Sequence, residues 1–147
     1  MFHTLGKFLE VDQWYPTRPS DDLHYQMTYA GNYGQYMCHA YVHREYEQFI
    51  FYAVMPETVP ESIRKEISYF LTMANYGIRI GNFEMDFKDG VVRFKTSIDF
   101  EGVIVNASLL KNTTYPAVNL IDQYYPGFIY IINDGWSAEK AIAFVEA

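Results

Sequence analysis

From Leu23 onward the apolar residues recur at every second position, and this alternation constrains the fold more than any other feature of the chain. Leu23, Tyr25, Met27 and Tyr29 alternate with His24, Gln26 and Thr28, the two-residue repeat of a half-buried strand. Ala30-Gly31-Asn32-Tyr33-Gly34 supplies a turn, and a second strand is predicted from Gln35 to Val42. The charged run His43-Arg44-Glu45-Tyr46-Glu47 closes another hairpin. Gln48 to Met55 is apolar on both faces, which predicts a third strand covered on both sides. The 14 Tyr and 11 Phe suit this reading, because aromatic side chains favour pleated, half-buried surfaces.

Elsewhere the period is helical. Phe2, Leu5, Phe8 and Leu9 predict a short first helix, and the two prolines and polar cluster of Tyr15 to Asp22 predict a connector. Pro56 and Pro60 end the third strand. A helix follows with Ile63, Ile67, Phe70, Leu71 and Ala74 on one stripe and Gly77 placed as a left-handed C-cap. Asn82 to Phe100 reads as a hairpin around Asp89-Gly90. A two-residue turn there pairs Phe87 with Val92, Met85 with Phe94 and Phe83 with Thr96. It also sets Asp86 against Arg93 and Glu84 against Lys95. A three-residue turn would place Met85 opposite Arg93, so the two-residue register is expected. Pro116 and Pro126-Gly127 predict that the last third is broken into short helices, one of them around Val118, Ile121 and Tyr124, with Ser137 capping a final helix.

The formal net charge of −7 opposes binding to nucleic acid or to an anionic membrane surface. A single cysteine, Cys38, excludes an internal disulfide and suits a reducing cytoplasm. No segment has the ~20 apolar residues of a bilayer span, and no signal peptide is expected at Met1 to Trp14. The sequons at Asn106 and Asn112 therefore carry no weight.

Four runs carry a resemblance. They are Tyr52-Ala53-Val54-Met55-Pro56 with Val59-Pro60-Glu61, the stretch Ala74 to Asp86, the stretch Asp89 to Asp99, and Asp122-Gln123-Tyr124-Tyr125-Pro126-Gly127. Together they resemble the YbjN family of bacterial proteins, labelled sensory transduction regulators. The resemblance implies a single domain over residues 1–147 with the order α-βββ-α-ββ-α(α). This is an α+β, mostly antiparallel fold similar to type III secretion chaperones. Those chaperones are small, acidic and often dimeric, and they bind extended segments of other proteins. The family has no established enzymatic activity, and it defines no catalytic, cofactor or metal residue to carry over.

The residues give no competing chemistry. The glycines of Asn75 to Asp86 lie after a helix and before a strand, the wrong polarity for a phosphate loop. Glu84 and Asp86 share a strand face, but each is expected to have a basic neighbour, a poor arrangement for proton donation. His39 and His43 stand roughly 13 Å apart along a strand, and His24 could oppose His39, yet two ligands do not make a metal site. No cofactor is expected. If Tyr36, Cys38, Ala40 and Val42 face the core with Tyr25 and Met27, then Met37, His39, Tyr41 and His24 form the opposite face. That face is too apolar for plain exposure. Either internal or dimer packing, or a protein or peptide partner, must cover it. The expected function is a non-enzymatic protein-binding regulator or chaperone-like adaptor, working by sheet-face contact or strand addition. The alternative is a small-molecule sensor with an aromatic-lined pocket between sheet and helices.

Overall fold

The computed structural model describes residues 1–18 and 23–147, so the last four residues of the expected connector lie outside the described residues. The elements run α1 (Phe2–Val11), β1 (His24–Ala30), β2 (Gln35–His43), β3 (Gln48–Val54), α2 (Arg64–Gly77), β4 (Asn82–Met85), β5 (Val92–Asp99), α3 (Ala107–Asp134) and α4 (Ala138–Val145). The five strands form an antiparallel sheet in the order β1-β2-β3-β5-β4. The α+β element order agrees with the sequence reading.

The alternation does what strand geometry requires. Met27, Tyr36, Cys38, Ala40, Val42, Phe49, Phe51, Ala53, Val92, Phe94 and Phe83 are all buried on one face of the sheet. The helices lie on that face: α3 runs along β3 and β5, α2 sits against β4, and α1 packs on α3. Leu5, Phe8 and Leu9 of α1 and Ile67, Phe70, Leu71 and Ala74 of α2 point inward. The core is therefore the layer between helices and sheet.

Four local expectations need correction. First, β3 is covered on one side only: Phe49, Phe51 and Ala53 are buried, whereas Ile50, Tyr52 and Val54 are half-buried. Being central, β3 has its outer side chains shielded laterally by those of β2 and β5 rather than by a second layer.

Second, the β4–β5 register is displaced by two residues. The observed pairs are Met85 with Val92, Glu84 with Arg93, Phe83 with Phe94 and Asn82 with Lys95. An even displacement keeps each side chain on its expected face. The longer loop, residues 86–91, is pinned to the segment before α2. Val59 N–H donates to the Gly90 carbonyl at 2.9 Å, and Arg64 donates to the carbonyls of Val59 (3.0 Å) and Phe87 (2.9 Å). Gly90 has φ +77°, and a Cβ there would lie 2.3 Å from the Val59 carbonyl oxygen, so only glycine fits. A two-residue turn cannot make these contacts. Asp86 consequently caps its own loop, accepting from Lys88 N–H at 2.8 Å, and does not oppose Arg93.

Third, Gly77 ends α2 without a left-handed conformation, and the positive φ falls instead on Gly81, at +80°. Fourth, Pro116 and Pro126 do not divide the last third. Both lie inside α3, a helix of 28 residues. A proline in a helix interior costs about 3 kcal/mol. Against that, Leu110, Ala117, Val118, Ile121, Tyr124, Phe128 and Ile131 form a continuous buried stripe through both prolines, in which the Leu, Val, Ile and Phe side chains contribute roughly 1.5–3 kcal/mol each. Packing wins. Gly127, expected to break the chain, is the point where Phe70 of α2 and Val145 of α4 both approach α3. As expected, Ser137 caps α4, its hydroxyl accepting from Lys140 N–H at 3.2 Å.

Candidate functional site

With every helix on one side, the other face of the sheet is open among the described residues. Pairing arranges it in rows. One row runs Thr28, Met37, Val54, Arg93, Glu84; the next runs Gln26, His39, Tyr52, Lys95, Asn82; the third runs His24, Tyr41, Ile50, Ser97. The four residues singled out from sequence, Met37, His39, Tyr41 and His24, all lie here. His24, His39 and Tyr41 are brought into contact. His24 stacks on Tyr41 with centroids 4.0 Å apart, and its Nε2 is 2.8 Å from Nδ1 of His39. Met37 stands apart in the outer row and is 40% exposed, against 8% for His24.

Sequence reasoning missed the other half of this face. Tyr52 meets Tyr41 edge to face at 6.0 Å, and the Arg93 guanidinium lies 4.0 Å above the Tyr52 ring. These residues escaped notice because β3 was expected to be covered twice. Their signal was the phase of β3 relative to β2: pairing Met37 with Val54 puts Tyr52 beside His39. A groove of about 400 Å³ opens here between His39, Tyr41, Tyr52, Val54 and Arg93.

Burial and charge pairing set the electrostatics of this face. Burial, His24 and Arg93 all lower the pKa of His39, which favours its neutral ring. Burial alone would raise Glu84, but hydrogen bonds from Arg93 and Lys95 outweigh it and hold the carboxyl below its usual range. Lys95 Nζ is 3.1 Å from Glu84. This makes Glu84 a standing anion rather than a proton donor. Among the described residues no group of three or more His, Cys, Asp or Glu side chains could hold a metal ion. Burial pushes the Cys38 thiol up to about 12, so it is a core residue without nucleophilic character.

Both sheet edges are occupied at one point each. At β1, Gln26 exchanges backbone hydrogen bonds with Thr17 (2.7 and 2.9 Å). At β4, the Asn75 side chain of α2 accepts from Phe83 N–H at 2.7 Å and donates to the Phe83 carbonyl at 3.0 Å. An amide side chain thus substitutes for a neighbouring strand.

A second concave region lies at the β1–β2 turn. The Asp122 carboxylate of α3 accepts from Asn32 N–H (2.8 Å), Tyr33 N–H (3.0 Å) and the Tyr36 hydroxyl (2.7 Å). Gly31 is required here, since a Cβ would lie 2.3 Å from the Asp122 carboxylate. Burial and then Asp122 push the Tyr36 phenol far above its ordinary range. Beside this anchor a groove of about 660 Å³ opens between the turn, α3 and α4. No local sequence signal could have found it, because its partners are about 90 residues apart.

No helix among the described residues is long and apolar enough to cross a membrane. No protein-family model matches the sequence, and no curated protein sequence matches it. Solved structures do match. One is YbjN from E. coli, provisionally a transcription regulator, with a TM-score of 0.62 at 10% identity over 86% of this chain and 92% of that one. Another is a chain of the HopA1–SchA chaperone–effector complex, with a TM-score of 0.52 at 15% identity over 80% and 86% of the two chains. The chain therefore has the YbjN-like fold, which it shares with a chain of that chaperone–effector complex.

Proposed function

We propose that this protein is a non-enzymatic regulator or chaperone-like adaptor that binds a protein partner on its open sheet face. The observation that carries the reading is the one-sided layering. All the described helices cover one face, and the other presents contiguous aromatic, aliphatic and imidazole groups around Tyr41 and Tyr52. An apolar surface of that kind is what an interface centre offers, with aromatic anchors and an Arg within a polar rim. Met37, His39, Tyr41 and His24 form one side of the contact, and Ile50, Tyr52, Val54 and Arg93 extend it.

Face docking is favoured over strand addition, because Thr17 and Asn75 already use backbone groups at the two edges. The complex between a chaperone and its effector among the structural neighbours gives the reading its class. The sensor alternative loses its first location. The rings between sheet and helices pack on one another, with Phe83 meeting Phe94 at 4.8 Å and Tyr124 at 5.4 Å, edge to face.

The test is affinity capture from the native host's lysate with wild-type protein and a folded Met37→Glu/Tyr41→Glu variant. Specific partners lost in the variant support the reading. Partners retained by the variant move the site off this face, and a folded wild type that captures none sinks the adaptor reading.

A further inference from the structure

The groove at the β1–β2 turn is independent of the sheet face and has its own chemistry. Its walls are aromatic: Tyr29 from the end of β1, Tyr33 from the turn, Tyr130 from α3 and Phe144 from α4. Tyr33 and Phe144 are exposed, at 63% and 51%. Asp122 reaches its floor, and the three donors that hold it are neutral: two backbone N–H groups and a phenol. They orient the carboxylate without cancelling its charge. No Lys, Arg or His lines the groove among the described residues. Asn119 and Gln123, the other polar side chains that α3 gives the groove, are neutral.

Aromatic faces around an uncompensated carboxylate attract a cation. The same aromatic cluster already shows the contact on its outer side. Tyr130 stacks on Trp136 at 4.3 Å, Phe144 meets Tyr130 edge-on at 5.6 Å, and Lys140 Nζ sits 4.1 Å over Trp136. The chain's charge of −7 draws cations toward it generally, and the groove supplies the shape that would make one site preferred. We infer that this groove binds an aliphatic ammonium group, either from a free polyamine or from a lysine side chain of another protein. Because Asp122 holds the turn in place whether or not a ligand is present, the site is preformed.

The experiment is an NMR titration of the intact chain with spermidine, with Nα-acetyl-lysine amide and with 1,8-octanediol, at constant ionic strength. Saturable shifts centred on Tyr33, Asn119 and Tyr130 with an amine, and none with the diol, are expected. Response to spermidine alone names the free polyamine, and response to the lysine amide names a protein lysine. Asp122→Asn would disturb the turn, so the deciding variants are Tyr130→Ala and Phe144→Ala, each first shown to be folded. Each is expected to weaken binding roughly tenfold, the scale of a partly desolvated cation–π contact. Three results would each overturn the inference: unchanged affinity in both variants, equal response to the diol, or shifts centred on the acidic loop at Asp86 and Asp89.

Discussion

The two faces of the sheet are built from the same strands by the same alternation, yet they answer to different demands. The inner face is aliphatic and phenylalanine-rich, and its large side chains are at or near zero exposure. The outer face carries fewer large rings, mixes imidazole, phenol and guanidinium in stacked contacts, and stays half-open. Inner side chains are chosen by packing and outer ones by what they can touch next. Large outer rings that the described helices leave uncovered add little to folding, so their presence points to use.

The largest effect that would break this contrast comes from cutting one residue on each face. Phe51→Ala should destabilise the fold by about 3–5 kcal/mol, the usual cost of emptying a packed aromatic site. Tyr52→Ala, one position on, should cost about 1 kcal/mol or less. Urea unfolding of both variants measures the difference, and equal losses would mean the outer face is structural. Asp122→Ala comes next. It leaves the buried Tyr36 hydroxyl and two turn N–H groups without their acceptor, for an expected loss of about 2–3 kcal/mol in the same assay. A smaller loss would show that water replaces the carboxylate.

Asn75→Ala should cost about 1–2 kcal/mol through the unpaired Phe83 backbone. Light scattering should also show a steeper concentration-dependent rise in association than for the wild type. The Met37→Glu/Tyr41→Glu pair should leave the unfolding midpoint almost unchanged, within about 1 kcal/mol, while abolishing capture of partners.

The smallest effect is in pH. The pKa of His39 is lowered in the folded state, so the unfolded chain takes up its proton first. Its contribution to stability is intact above the unfolded pKa and falls as pH drops through that value toward the lower folded one. The wild type should therefore lose more of its unfolding midpoint between pH 7.5 and 5.5 than His39→Gln, measured by thermal unfolding. An equal loss would mean that the His39 pKa is not lowered on folding.

Much of the architecture was legible because it is written in local period. The alternation in β1 and β2 fixed which side chains meet the helices, and with it the placement of Met37, His39, Tyr41 and His24 on one face. What failed depended on distant contacts. The register at β4–β5 was decided by Val59 and Arg64 holding Gly90, which pairing rules within a hairpin cannot see. The prolines of α3 were read by their local cost, but the helix is held by a stripe of partners contributed by the whole core. Arg93 joined the face only once β3 and β5 were known to be neighbours. The Asp122 anchor joins residues with no local pattern at all.

Viewed as polymer chemistry, a β-sheet grows sideways by adding strands, and each open edge is a living end. Asn75 acts at β4 as a chain stopper: a monofunctional group that satisfies the donor and acceptor of Phe83 and presents no further backbone of its own. At Phe83 the sheet is thereby closed to a further strand in that direction.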